Sequence, residues 1–164
     1  MNNENRYRVG IWGEQGSGKS IFAATFPDPK LIIDTEDTAK EVKFLFPNKD
    51  ISIVSFNEID MKGKNGEKLE VMKYEKILDT IDKLEADCKF KTIIWDSSTD
   101  IWAWCQSYSK LTDFNLKPSD RLKYQFDWGK INSHYRLMLA RFRNLNVNLI
   151  LTGKSGLVYD KLGN

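Results

Sequence analysis

One stretch of this 164-residue chain has the residue types and spacing of a phosphate-binding loop. It reads G-E-Q-G-S-G-K-S over residues 13–20 and matches G-x-x-x-x-G-K-[ST] at every fixed position. The glycines allow backbone conformations that turn successive N–H groups inward, which forms an anion site between a strand and a helix. Lys19 would reach the β- and γ-phosphates of a nucleotide, and the Ser20 hydroxyl would bind Mg²⁺. The predicted nucleotide contacts are Gly13, Glu14, Gln15, Gly16, Ser17, Gly18, Lys19, Ser20 and Ile21.

A second stretch, T-I-I-W-D-S-S-T-D over residues 92–100, predicts the metal side of the same site. Two β-branched apolar residues and a Trp lead into Asp96, the pattern of a buried strand that ends in an acid. We expect the Asp96 carboxylate to hold Mg²⁺ through a water. Its alternative role is an ordinary helix cap, which Ser97 or Ser98 would serve equally well. In many ATPases of this kind a glutamate follows the aspartate, whereas Ser97 follows here. The protein therefore either only binds nucleotide or takes its catalytic carboxylate from elsewhere.

Acidic residues after another predicted strand are the candidates for that carboxylate. The segment K-L-I-I-D-T-E-D has Asp34, Glu36 and Asp37 at and just past the C-terminal end of the strand, where open parallel sheets bind ligands. One of these acids can reach a water lined up on the γ-phosphate and act as its general base, and Glu36 is the favoured candidate. The alternative is that these acids cap the helix that starts near Thr38, where the helix dipole favours negative charge. For Asp37 we favour the cap.

Apolar runs bounded by turn residues alternate with helical patterns along the chain. The predicted strands are residues 6–12, 30–34, 51–56, 92–96 and 147–152. Helical patterns lie between them, and such alternation implies parallel crossovers. We therefore predict a three-layer α/β fold of the P-loop NTPase type, with a mainly parallel central sheet and helices on both faces.

Length and composition predict one folded domain over residues 1–164. The Asn65-Gly66 dipeptide predicts a protruding hairpin or loop over residues 57–72. The last residues, S-G-L-V-Y-D-K-L-G-N, look like half a hairpin, which suggests a C-terminally shortened form of a longer relative.

Charge and hydropathy exclude several classes of protein. The formal net charge of +2 neither demands nor excludes a nucleic-acid partner. No apolar run approaches the ~18 residues of a membrane span, and the N-terminus has no apolar segment typical of a secretory signal. Cys88 and Cys105 form neither a metal-ligand pattern nor a disulfide framework. We expect a cytoplasmic protein that does not bind a membrane.

The order of the motifs resembles that of RecA-like ATPases. A phosphate loop, then I-D-T-E, then an apolar strand into D-S occur in that order in both. In that family the glutamate after the strand that follows the loop is catalytic, and a serine follows the metal-site aspartate. The resemblance implies an ATPase in which Lys19 and Glu36 are catalytic and Ser20 and Asp96 bind Mg²⁺.

More narrowly, the chain looks like small phage-type ATP-binding proteins of this superfamily, some of which belong to the Sak-type single-strand annealing group. The matching segments are F-P-D-P-K-L-I-I-D-T-E (26–36), D-S before a Trp-bearing helix, and W-G-K-I-N (128–132) before a strand that ends in Thr. The resemblance implies ATP, ADP and Mg²⁺ as ligands, single-stranded DNA as a partner, and a homo-oligomer. It implies a role in phage-type recombination, annealing or replication, in the bacterial host cell if the chain is phage-encoded.

The relatives often end the last core strand with Thr-Ala-His, whereas this chain has L-T-G-K-S. Thr152 and Lys154 are therefore the candidates for sensing the γ-phosphate. Arg141 and Arg143 are candidates for a cation that reaches the γ-phosphate of a neighbouring subunit. The alternative for both arginines is a solvated helix face.

Basic and aromatic residues interleave between residues 102 and 130, as in platforms for single-stranded nucleic acid. Lys117, Arg121 and Lys123 are the candidate DNA contacts, while most of the aromatic rings on the helices are better explained as core. Two other functions stay open. One is a small-molecule kinase of the nucleoside or nucleotide type, with Arg121 in a lid, and the other is a slow nucleotide-dependent switch or packaging component.

Overall fold

A five-stranded parallel sheet is the centre of the computed structural model, which describes residues 6–56, 66–124 and 126–155. The strands are β1 (Arg8–Gly13), β2 (Lys30–Asp34), β3 (Ile51–Ser55), β4 (Thr92–Asp96) and β5 (Asn148–Lys154). The helices are α1 (Lys19–Ala23), α2 (Ala39–Leu45), α3 (Gly66–Ala86), α4 (Ser98–Phe114) and α5 (Asp127–Asn144). The predicted three-layer α/β fold is confirmed.

The strand order in the sheet is β1-β5-β4-β2-β3, and every neighbouring pair is parallel. The last strand therefore lies between the strand that precedes the phosphate loop and the strand that ends in Asp96. In the register, Gly13 pairs with Lys154 and Asp34 pairs with Asp96. All the predicted strand-end residues thus meet at one edge of the sheet, where parallel sheets bind ligands.

Two hydrophobic cores cover the two faces of the sheet. On one face, α3, α4 and α5 pack on side chains such as Ile33, Ile93 and Trp95. On the other, α1 and α2 pack on Ile32 and Ile94. The central strands are buried on both faces, which explains why they are continuous apolar runs rather than alternating ones. Complete burial of each such side chain stabilises the fold by about 1.5–3 kcal/mol.

The predicted hairpin or loop over residues 57–72 is corrected in its second half. Residues 57–65 lie outside the described part of the chain, and residues 66–72 belong to the first turns of α3. Val71 is buried and extends the apolar stripe of Tyr74 and Ile77 towards the N-terminus. Because Lys68, Leu69 and Glu70 also favour helix, the helical pattern overrides the turn signal of Asn65-Gly66.

Trp128 shares its helical spacing with Ile131 and Met138, which predicts that it lies on the buried face of the long helix, but it is 40% exposed. It lies in the first turn of α5, whereas Ile131, about one turn further along, is buried, and its carbonyl oxygen lies 3.9 Å from Cys105 Sγ of α4. Within the described ranges, no helix has the length and apolar character needed to span a membrane.

Candidate active site

Two glycines shape the loop between β1 and α1. Gly16 and Gly18 have φ angles of 78° and 81°, in the left-handed region that L side chains rarely adopt. Gly18 also precedes α1 as its N-cap and supplies no side-chain cap. The backbone N–H groups of this turn are consequently left for an anion, as in phosphate-binding nests.

Lys19 bends back over the same loop. Its Nζ donates to the carbonyl oxygens of Gly13 at 2.9 Å and Glu14 at 2.7 Å, and it lies 3.4 Å from Ser17 Oγ. Among the described residues it has no carboxylate partner. Carbonyl groups orient the ammonium without neutralising its charge, so Lys19 stays available to a phosphate.

A cleft of about 350 Å³ opens beside the loop. Its walls include loop residues 15–21, the strand-end residues Glu36, Asp96, Ser97 and Lys154, and the apolar side chains of Val42 and Leu45. Of the predicted nucleotide contacts, Gly13 and Glu14 do not line this cleft. They hold Lys19 through their carbonyl oxygens instead.

Asp96 is buried at the end of β4, with 3% of its surface exposed. Its Oδ1 accepts a hydrogen bond of 2.5 Å from Thr152 Oγ1, which also lies 3.2 Å from the carbonyl oxygen of Trp95. Thr152 is fully buried and does not line the cleft. The expectation that Thr152 senses a γ-phosphate therefore needs correction, because this side chain lies beneath Asp96 and orients its carboxylate.

The residues at the cleft fit a magnesium ion. Ser20 and Asp96 supply one hydroxyl and one carboxylate, the hard oxygen ligands that Mg²⁺ prefers. Among the residues described, no group of three or more His, Cys, Asp or Glu side chains forms a metal cage. Mg²⁺ commonly keeps several waters and binds substrate phosphates, so two protein ligands are sufficient.

Glu36 lines the cleft and is paired with Lys154. The Nζ of Lys154 lies 2.9 Å from Glu36 Oε1 and 3.2 Å from Asp100 Oδ1. Burial lowers the pKa of Lys154, but its hydrogen bonds and charge interactions with these two carboxylates outweigh burial and raise the pKa above its ordinary value. A charged ammonium thus bridges the ends of β2 and β5 and the first turn of α4.

The acids at the end of β2 have separate roles. Asp34 accepts hydrogen bonds from the backbone N–H groups of Glu36, Thr38 and Ala39, and so caps α2. Burial raises the pKa of Asp34 above its ordinary value, although these N–H groups lower it. Asp37 has a φ of 61° and lies 3.8 Å from Lys40. Because Asp34 provides the cap, Glu36 is free to face the cleft.

Asp100 is a site residue that the sequence motifs missed. Its Oδ2 accepts hydrogen bonds from Thr35 Oγ1 at 2.8 Å and Ser97 Oγ at 2.9 Å. The Ser97 N–H donates to Thr35 Oγ1 at 2.7 Å, and the peptide bond before Ser97 is cis. These contacts join the end of β2 to the start of α4. The signal in the sequence is the second acid of D-S-S-T-D, four residues after Asp96 and in the first turn of α4.

Comparison with known proteins shows which family this chain belongs to. The family described as AAA domain matches residues 5–164. The chain belongs to the AAA domain family. It is accordingly a P-loop domain of the ATPase type, and ATP or ADP is the ligand that the family implies. None of the curated proteins matches the sequence significantly.

Solved structures show the same fold. Matches number 78 chains, and one is "a prototypical ATPase from the type III secretion system of pathogenic bacteria". It is 14% identical in sequence with a TM-score of 0.50, and the alignment covers 96% of this chain and 48% of that one. At this identity the likeness concerns the fold alone, and this AAA domain spans about half the length of the secretion ATPase.

Arg141 and Arg143, the candidates for a cation that acts on a neighbouring subunit of this AAA domain, do not line the cleft. Arg141 binds Glu85 and Asp82 of α3, at 2.9 Å and 2.5 Å. The carbonyl oxygen of Arg143 accepts a hydrogen bond from Arg8, at the start of β1 and thus at the opposite edge of the sheet from the loop. Both arginines therefore lie far from the cleft of their own chain.

The connection between α4 and α5 also lies apart from the cleft. Lys117, Arg121 and Lys123 are exposed there, and none of the ion pairs among the described residues involves them. The rings of Tyr124 and Phe126 are exposed and stacked, with centroids 5.1 Å apart and planes 8° from parallel. The kinase alternative needs Arg121 in a lid over the phosphate loop, and in this arrangement Arg121 does not line the cleft.

Proposed function

We propose that this AAA domain is a Mg²⁺-dependent ATPase that acts on DNA, in phage-type recombination, annealing or replication. The observation that carries the ATPase part is the meeting of Lys19, Asp96 and Glu36 at one cleft. A cation for the phosphates, a carboxylate for the metal and a second carboxylate for water are the groups that ATP hydrolysis requires.

In the proposed reaction, the loop N–H groups and Lys19 hold the phosphates of ATP, and Ser20 and Asp96 hold the metal. When bound there, Mg²⁺ would neutralise part of the negative charge on the phosphates. Glu36 takes a proton from a water, whose oxygen forms a bond to the γ-phosphorus. The bond from that phosphorus to the bridging oxygen breaks with its electron pair going to ADP, and the products are ADP and inorganic phosphate.

Lys154 is the proposed sensor of the γ-phosphate. It lines the cleft, and its ammonium is shared between Glu36 and Asp100 at 2.9 Å and 3.2 Å. A γ-phosphate in the cleft competes with these carboxylates for the same ammonium. Binding of ATP would therefore loosen the ion pair that occupies Glu36.

DNA is the proposed partner, and Lys117, Arg121 and Lys123 are the proposed contacts. Their charges are exposed and unpaired within the described part of the chain, and the stacked rings of Tyr124 and Phe126 lie in the same connection. Cations that follow phosphates beside rings that accept bases are typical of single-strand binding. Affinity should fall steeply with salt, because bound counterions are released from the DNA.

A homo-oligomer in the cytoplasm is the proposed working form. Arg141 is engaged by two carboxylates, whereas the Arg143 guanidinium is exposed. The role of a cation acting on the nucleotide of a neighbouring subunit would consequently fall to Arg143.

Steady-state ATP hydrolysis with Mg²⁺, with and without single-stranded DNA, tests the proposal. We expect DNA to raise the rate and Glu36→Gln to lower it by ~100-fold while ATP still binds, since a positioned base contributes about that much. Asp37→Asn is the matched control, because Asp37 is a nearby acid outside the cleft and Asn tolerates its positive φ. Wild type that binds ATP but hydrolyses none under either condition overturns the ATPase proposal. Hydrolysis that DNA does not change overturns the DNA part.

A further inference from the structure

A second cavity, of about 420 Å³, adjoins the nucleotide cleft. The two share a wall formed by Gln15, Glu36, Thr38 and Lys154. On its far side the second cavity is bounded by Lys73 of α3 and by Asp100 and Trp104 of α4. The ion pair of Glu36 with Lys154 therefore separates a compartment for nucleotide from a compartment that the proposed reaction does not use.

Lys73 brings a positive charge to this second cavity. Its Nζ lies 5.0 Å from the centre of the Trp104 ring, and Trp104 is only 5% exposed and packs on Phe56. None of the ion pairs between described residues involves Lys73. An aromatic face orients a cation but leaves its full charge. Lys73 thus faces the cavity as a cation that has no anionic partner among the described residues.

The carboxylates of the second cavity already have donors. Asp100 accepts from the hydroxyls of Thr35 and Ser97 and from Lys154, and Glu36 accepts from Lys154. The charged group of this lining that has no carboxylate partner among the described residues is therefore Lys73, and the amide of Gln15 can add N–H donors. Such a lining selects an anion that accepts several hydrogen bonds, and phosphate is the common biological group of that kind.

We propose that the second cavity binds a phosphate group, and that this phosphate draws Lys154 away from Glu36 and so speeds ATP hydrolysis. Lys154 lines both cavities, so an anion on the Lys73 side competes directly with Glu36 for its ammonium. A carboxylate released from a cation takes up a proton more readily, which makes it a better base for water. The phosphate is either free in solution or part of a nucleic-acid backbone. The proposed acceleration of ATP hydrolysis rests on the proposed ATPase function. The proposed binding of phosphate in the second cavity does not.

Calorimetry tests the site without any need for hydrolysis. The nucleotide cleft is filled with Mg²⁺ and a non-hydrolysable ATP analogue, and inorganic phosphate or a short oligothymidylate is titrated in. The variants are Lys73→Gln and, as a matched control, Lys83→Gln, which is exposed on the same helix about three turns away. Thermal unfolding checks that both fold. We expect Lys73→Gln alone to weaken binding, by about ten-fold for one lost charge-assisted contact.

The two probes distinguish the sources of the phosphate. Binding of inorganic phosphate that depends on Lys73 supports a site for free phosphate. Binding of the oligonucleotide alone supports a backbone site if it too is weakened by Lys73→Gln, because binding through Lys117, Arg121 and Lys123 would not depend on Lys73. If wild type binds neither probe, or if Lys73→Gln binds as wild type does, the site is refuted.

The ratio of ATP turnover with and without the bound probe tests the acceleration. We expect the ratio to exceed one for wild type and Lys83→Gln and to return to one for Lys73→Gln. A bound probe that leaves turnover unchanged refutes the acceleration. If no ATP is hydrolysed under any condition, the proposed function fails and the acceleration with it, while the calorimetry still decides the site.

Discussion

Replacing Thr152 by valine removes one buried hydroxyl and keeps the shape of the side chain. Among the described residues, this hydroxyl is the side-chain donor to the Asp96 carboxylate, at 2.5 Å, and both residues are buried. A hydrogen bond to a charged group contributes about 1.5–3 kcal/mol, and a buried acceptor left without its donor lies towards the upper end. We expect the free energy of unfolding to fall by about 2–3 kcal/mol. For a chain of this length, the melting temperature should fall by roughly 5–10 °C.

Thermal unfolding without nucleotide measures that loss, and a Mg²⁺ titration of ATP turnover measures its effect on the site. A carboxylate that is no longer oriented should need about ten-fold more Mg²⁺, the lower end for loss of a group that orients a metal ligand. Thr152→Ser is the control, since it keeps the hydroxyl and loses one methyl group, at a cost of about 1 kcal/mol. A valine variant as stable as wild type, with the same Mg²⁺ requirement, would refute the role assigned to Thr152.

Gly18→Ala imposes a φ of 81° on an alanine, which costs about 1–2 kcal/mol, so we expect weaker binding in an ATP titration. Gly129→Ala, in α5 with open space around the added carbon, should instead raise stability by about 0.5–1 kcal/mol. If both substitutions changed the free energy of unfolding by the same amount, this reasoning would be wrong. Burial raises the pKa of Asp113, but the Ser109 hydroxyl and His134 more than offset it, so the pKa lies below its ordinary value. Asp113 therefore stabilises the fold above an unfolded-state pKa of about 3.9 and loses this contribution as the pH falls through its folded-state pKa. Acid unfolding of Asp113→Asn, followed by circular dichroism, should show a smaller loss of stability below about pH 4 than wild type shows.

Sequence patterns predicted β2 and β4 to the residue and the bounds of the other three strands to within one or two residues. Residues 30–34 and 92–96 are buried on both faces and are flanked by turn residues, so their apolar runs have sharp ends. In β1 exposed residues alternate with half-buried ones, and its observed bounds differ from the predicted 6–12 by one or two positions. Register with β5 decides where this strand begins and ends, and no local pattern encodes that pairing.

The candidate site divides in the same way. The loop of residues 13–20, Glu36 and Asp96 could be proposed from the sequence, because each belongs to a short segment with characteristic spacing, and the structure brings them to one cleft. The role of Thr152 beneath Asp96 was missed, because the two residues are 56 positions apart. Arg141 was a candidate for a cation acting on a neighbouring subunit or for a solvated side chain, and its ion pairs with α3 were not predicted because those partners are likewise distant in the sequence.

Local chain geometry alone determines that the loop glycines can turn N–H groups inward and that a strand-end acid follows its strand out of the sheet. The sequence by itself therefore determined the fold class and the candidate phosphate and metal residues. Tertiary structure decided that β5 lies between β1 and β4, which brings Lys154 to Asp100, 54 residues away, and to Glu36. That placement depends on which apolar faces pack together across the whole sheet. The wall between the two cavities is consequently a property of the folded chain and of no single segment.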